Sequence, residues 1–160
     1  MATAPRQKPR QRIQMVIRIE DRQSRHKTSK VKIEKKAKII LEALGIRDAE
    51  LSVLIVDDDQ MGEFNKTYLD RSGPTNVMAF PMREGPFAEV NPNLLGDVVI
   101  SLDTTCREAE AAGLSEELRF GQLLIHGILH LVGFDHENGK GDAKAMREKE
   151  EELLKLLEAL

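Results

Sequence analysis

Three of the chain's four histidines fall within eleven residues, at His126, His130 and His136, and that spacing admits few backbones. His126 and His130 lie four apart in a stretch, 115–132, whose apolar residues predict a helix. Both rings therefore project from one face and can reach a common point. Six further residues of helix would carry His136 to a different face. Gly133 marks where the helix stops, because glycine adopts the left-handed conformation that turns the chain back. Phe134 and Asp135 then return His136 toward the pair. Three imidazoles at one point suit Zn²⁺ and leave the fourth tetrahedral position to water, the arrangement of a catalytic zinc. Leu123, Leu124, Ile125, Ile128, Leu129, Leu131 and Val132 interleave the cluster. Unpaired imidazoles among such neighbours would carry a desolvation cost that an ion offsets.

The pattern H-x-x-x-H-x-x-G-x-x-H is shared with the metzincin metalloproteases, which carry a glutamate after the first histidine as general base. Gly127 stands at that position here. The metal can be held in the same way, but the peptidase base is absent from its expected place, which argues against ordinary proteolysis.

The elements before the cluster alternate. Residues 1–12, rich in Pro, Gln and Arg, offer little to bury and read as a disordered basic arm ahead of one domain over 13–160. Met15–Ile19 is a β-branched strand. From Ser29 a helix is predicted, with Ile33, Ala37, Ile40, Leu41 and Leu44 on one face and Gly45 closing it. Leu51–Val56 is a second strand, followed by the helix-capping cluster Asp57-Asp58-Asp59. Met61, Phe64, Asn65 and Tyr68 continue at helical spacing. Arg71-Ser72-Gly73-Pro74 is a turn, Val77–Phe80 a third strand ended by Pro81, 82–95 the longest loop, and Val98–Ile100 a fourth, buried strand. Helices are then predicted over about 102–112, 115–132 and 142–159, with Ser115, Glu116 and Glu117 favouring the start of the second by capping and dipole. This order predicts an α+β fold, a small mixed sheet with helices packed on it.

Charge is uneven along the chain. Residues 1–38 carry a net +10 and the remaining 122 a net −13. A basic end can attract a polyanion by releasing counterions, or simply be a solvated tail and helix face. No apolar run approaches the ~20 residues that span a bilayer. No secretory signal pattern follows the basic start, and Cys106 is the only cysteine, which suits a reducing cytosol. Cys106 reads as a small buried hydrophobe. His26, in a polar loop, is left out of the metal site. Met146 reads as core packing, and Asp97 and Ser101 as loop anchors. Asp135 is either a turn cap or a carboxylate that orients His136.

The segment His126-Gly127-Ile128-Leu129-His130-Leu131-Val132-Gly133-Phe134-Asp135-His136 resembles the HGxLHLxGyDH signature of the YbeY endoribonucleases, the bacterial rRNA maturation factors. Pro74–Pro81, preceded by Asn65 and Tyr68, is similar to that family's PT(D/N)VLSFP stretch, and Leu95–Ser101 to its LGDIxIS strand. The likeness covers roughly residues 13–157. It implies a four-stranded mixed sheet with about five helices and one zinc ion on His126, His130 and His136. It also implies a cytoplasmic endoribonuclease acting on single-stranded RNA, in maturation of the small-subunit rRNA 3′ end and in ribosome quality control, with rRNA and the small subunit as partners. The family's arginine, thought to face the substrate phosphate, follows the tyrosine that corresponds to Tyr68. Leu69 stands there, and Arg71, two positions on, is either the candidate to take its place or a solvated turn residue. Two rival readings remain: a zinc peptidase with an unconventional base, and a non-enzymatic ribosome-assembly factor whose zinc closes the fold.

Overall fold

The computed structural model describes residues 15–82, 93–134 and 140–160, and the side chains of all these except Lys140 and Gly141. The proposed arm, most of the 82–95 loop, Asp135 and His136 lie outside the described residues.

Four strands and five helices follow one another as β1 (Val16–Asp21), α1 (Lys30–Ala43), β2 (Glu50–Val56), α2 (Asp58–Leu69), β3 (Val77–Pro81), β4 (Leu94–Ser101), α3 (Leu102–Ala112), α4 (Glu116–Leu131) and α5 (Lys140–Glu158). The sheet runs β1-β2-β4-β3, with β1, β2 and β4 parallel and β3 antiparallel to β4. The expected α+β class and mixed four-stranded sheet are therefore present. The fourth strand is longer than its apolar core Val98–Ile100 predicts. It begins at Leu94, because pairing with β2 and β3 extends it through Gly96 and Asp97.

Local chemistry explains the helix ends. Ser29, Asp57, Ser101 and Ser115 each accept a backbone N–H from the first turn of the helix they precede. Gly113 and Gly133 take positive φ of 68° and 99° just past α3 and α4, as a chain leaving a helix into a turn requires. The fully buried Ile40, Leu41, Leu51, Ile55, Ile100, Leu124, Ile125, Ile128 and Leu129 place the main core between the sheet and helices α1 and α4. Met146, Leu153 and Leu157 add the apolar stripe of α5, as the reading of Met146 requires. On the other face, Val56, Met61, Met78 and Val99 form a smaller cluster beneath α2.

Two carboxylates pin α2 to α3. Asp58 accepts hydrogen bonds from Ser101 Oγ (2.7 Å), Thr104 Oγ1 (2.6 Å) and Arg107 Nη1 (2.6 Å). Asp103 accepts the Asp58 backbone N–H (3.0 Å) and pairs with His26 Nε2 (2.8 Å). Burial pushes both carboxyls up, but the hydrogen bonds that they accept outweigh it, so both titrate below the usual 3.8. A depressed carboxylate contributes stability that is complete above its unfolded value and lost as pH falls through its folded one. Asp58→Asn should lower stability at neutral pH by about 1–3 kcal/mol. It should also flatten the loss of stability below about pH 4, as read from urea midpoints across pH.

Candidate metal centre

Helix α4 is buried almost all round, against the sheet on one side and α3 and α5 on others. Phe120, Gly121, Leu123, Leu124, Ile125, Gly127, Ile128, Leu129 and Leu131 are all buried. His126 and His130 are half-buried and stand one above the other, because residues four apart share a helix face. Their Nε2 atoms converge to 3.0 Å, so the pair meets as its spacing predicts. His136, the third expected member, lies outside the described residues. Among those residues no group of three or more His, Cys, Asp or Glu side chains is placed to hold a metal ion; His126 and His130 supply two donors.

The other nitrogen of His126 is also engaged. Its Nδ1 lies 3.0 Å from Glu150 Oε1 on α5. Sequence reasoning missed Glu150. It falls at the spacing of the apolar stripe Met146–Leu153–Leu157 but is only half-buried, and nothing local points to its partner on α4.

The histidines open into a groove of about 950 Å³ between α2, β3 and α4, lined among others by Asn65, Tyr68, Arg71, Asn76, Phe80 and Phe134. Arg71 therefore reaches the same groove as His126 and His130. Its turn is held to α2 by Asn65, whose Nδ2 donates to Gly73 O at 2.8 Å and whose backbone O accepts the Arg71 N–H at 3.3 Å. Leu69, at the position where the family carries its arginine, is half-exposed.

Gly127, between the two histidines in the groove wall, has no room for a side chain. A Cβ there would lie 2.7 Å from Val98 Cγ1 and 3.3 Å from Val77 Cγ2. The missing glutamate thus has a packing cause: α4 sits directly on β3 and β4 at this point.

The remaining candidates fall elsewhere. Ser101 caps α3 and binds Asp58, an anchoring role. Asp97 lies within β4, where burial raises its carboxyl and a hydrogen bond with Ser52 opposes the rise. Cys106 Sγ lies 3.6 Å from His26 Nδ1, and His26 in turn meets Asp103, an order of groups found in thiol nucleophiles. Burial, then hydrogen bonding and charge from Glu116 and the charge of Asp103, push this thiol up to about 11. It stays protonated and is not an activated nucleophile. No helix among the described residues is long and apolar enough to cross a membrane.

With this geometry in place, likeness to known proteins is informative. Residues 18–158 match the family described as Endoribonuclease YbeY. The chain is 47% identical over 145 residues to an Endoribonuclease YbeY of Geobacter sulfurreducens, covering 90% of this chain and 97% of that one. It is 44% identical over 154 residues to the protein of the same name from Aquifex aeolicus, covering 94% and 97%. The solution structure of a Thermotoga maritima protein superposes with a TM-score of 0.64 at 25% identity, over 89% of each chain.

Proposed function

The chain belongs to the Endoribonuclease YbeY family and is thus a hydrolase acting on RNA, and from that premise we propose that it is a zinc-dependent enzyme cutting single-stranded RNA. His126, His130 and His136 hold the ion, and Arg71 faces the phosphate to be cleaved. The observation that carries this reading is the convergence of His126 Nε2 and His130 Nε2 to 3.0 Å on the wall of the Arg71 groove. Two nitrogens on one tetrahedral zinc, each at 2.0–2.1 Å, stand about 3.3 Å apart, so the pair needs little adjustment. When bound, zinc supplies a water acidic enough to attack at neutral pH.

The chain's own residues do the rest. With Nε2 of His126 holding the ion, its Nδ1–H would donate a hydrogen bond to Glu150 Oε1, which would fix the ring's tautomer and angle. Arg71, on a turn held by Asn65, supplies a fixed positive charge for the phosphate oxygens. The exposed Lys30, Lys32, Lys35 and Lys38 of α1, with the basic arm, attract the RNA backbone. In the cell the reading is rRNA processing at the 3′ end of small-subunit rRNA, and ribosome quality control, in the cytoplasm.

The test is direct. Purified protein should hold about one zinc per chain, with three nitrogen ligands by X-ray absorption and the fourth position open. It should cut a single-stranded rRNA fragment and leave denatured protein intact, and chelation should stop the cutting without unfolding the chain. A closed four-ligand site, with unfolding on chelation, would instead favour a structural zinc. The Glu150 bond carries its own prediction. Glu150→Ala should weaken zinc affinity by about 10- to 100-fold, read by competition with a chromophoric chelator. An unchanged affinity would show that the bond does not orient the ligand.

A further inference from the structure

Tyr68 is the chain's single tyrosine, and there is no tryptophan. Its side chain sits at the end of α2 with 60% of its surface exposed, yet the ring is braced. It stacks on Phe64, one turn earlier, with centroids 5.9 Å apart, and meets Phe80 of β3 edge-on at 5.2 Å. Packing against both α2 and β3 restricts the ring, so little freedom remains to be lost when something binds to it. Tyr68 lines the same groove as His126, His130 and Arg71. An RNA strand with a phosphate at the histidines must run its neighbouring nucleotides along that groove. In a duplex those bases are already paired and stacked on each other, whereas a single strand offers bare faces that aromatic rings can cover.

We propose that Tyr68 is a base-stacking platform in the substrate groove, taking an unpaired base of the strand whose phosphate lies at the histidines. The platform selects single strands, because a base held within a helix cannot turn its face to it. A flat ring accepts any base, so the platform gives preference for strandedness with little for sequence. This inference rests on the groove being the RNA site, and its test separates the two.

Since Tyr68 is the only tyrosine and no tryptophan is present, tyrosine emission reports this position alone. Metal-stripped full-length chain is titrated with a single-stranded oligoribonucleotide, with its duplex, and with an abasic strand of equal length. Anisotropy of end-labelled RNA measures binding independently. The single strand should shorten the tyrosine lifetime saturably, at the dissociation constant given by anisotropy, and the other two should leave it nearly unchanged. Tyr68→Ala should weaken single-strand binding by about tenfold while Tyr68→Phe, which keeps the ring, stays within about twofold. RNA that binds without altering Tyr68 emission would overturn the platform and leave the endoribonuclease reading intact. So would equal shortening by the duplex, or full affinity in Tyr68→Ala. A chain that shows the quenching but does not cleave when zinc is restored would overturn the zinc reading and leave the platform standing. Failure of every RNA to bind would overturn the platform and the groove assignment together.

Discussion

His130→Ala is expected to abolish RNA cleavage and to reduce bound zinc from about one ion per chain to background, because two imidazoles rarely retain the ion that three hold. His126→Ala and His136→Ala should do the same. The loss should belong to the site and not to the fold. His126 and His130 are half-buried on the one less-covered stripe of α4, while the neighbours that build the core, Ile125, Ile128 and Leu129, are fully buried and untouched. Compared without metal, wild type and variant should differ in unfolding free energy by about 1 kcal/mol or less. Three measurements check this together: metal content by mass spectrometry, cleavage of a single-stranded RNA, and the urea midpoint of the stripped chains. A variant that holds no zinc and still cuts RNA at the wild-type rate would remove the ion from the mechanism. Arg71→Ala offers the complementary result, with metal retained and cleavage lowered, if the guanidinium meets the phosphate.

The parts of this protein legible in its sequence are those fixed by local chemistry. Ser115 begins α4, Gly133 ends it, and the i, i+4 spacing of His126 and His130 brings their rings together; each of these depends on fewer than twenty consecutive residues. The strands could be located, but not their order. That β4 inserts between β2 and β3 is decided by pairings such as Val53 with Val98 and Ala79 with Val98, which no local pattern encodes. Those pairings also carry β4 beyond its apolar core Val98–Ile100. Glu150 escaped notice for the same reason, since its partner His126 is twenty-four residues away on another helix. Arg71 could be nominated as a substitute for the residue at Leu69, but only the placement of α2 over β3 shows that it shares the histidines' groove. The family likeness gave the activity; the physical reading gave the reason for the site's shape.

Gly127 is the position where the sequence and the structure say the same thing for different reasons, and it yields the sharpest stability prediction. The sequence shows that the metzincin glutamate is missing. The structure shows that any side chain added there would meet the methyl groups of Val98 and Val77. Gly127→Glu should yield no peptidase, because its Cβ would begin 2.7 Å from Val98 Cγ1 and 3.2 Å from Val98 Cγ2. Fitting it requires α4 to lift from β3 and β4, which would disturb His126 beside it. Gly127→Ala isolates the steric part. The exchange would gain about 1 kcal/mol of helix propensity in an open helix, but overpacking a close contact costs about 1–3 kcal/mol. Repulsion should therefore cancel or reverse the gain. Gly127→Glu adds a buried carboxylate without a prepared partner, and should be the less stable of the two. A double-mutant cycle with Val98→Ala is the decisive measurement, because trimming Val98 removes both methyl groups that the new Cβ meets. The paired change should be more stable than the sum of the single changes by about 1 kcal/mol or more. Additive urea midpoints, or protein cleavage by Gly127→Glu, would show that close packing of α4 on the sheet is not what keeps this position a glycine.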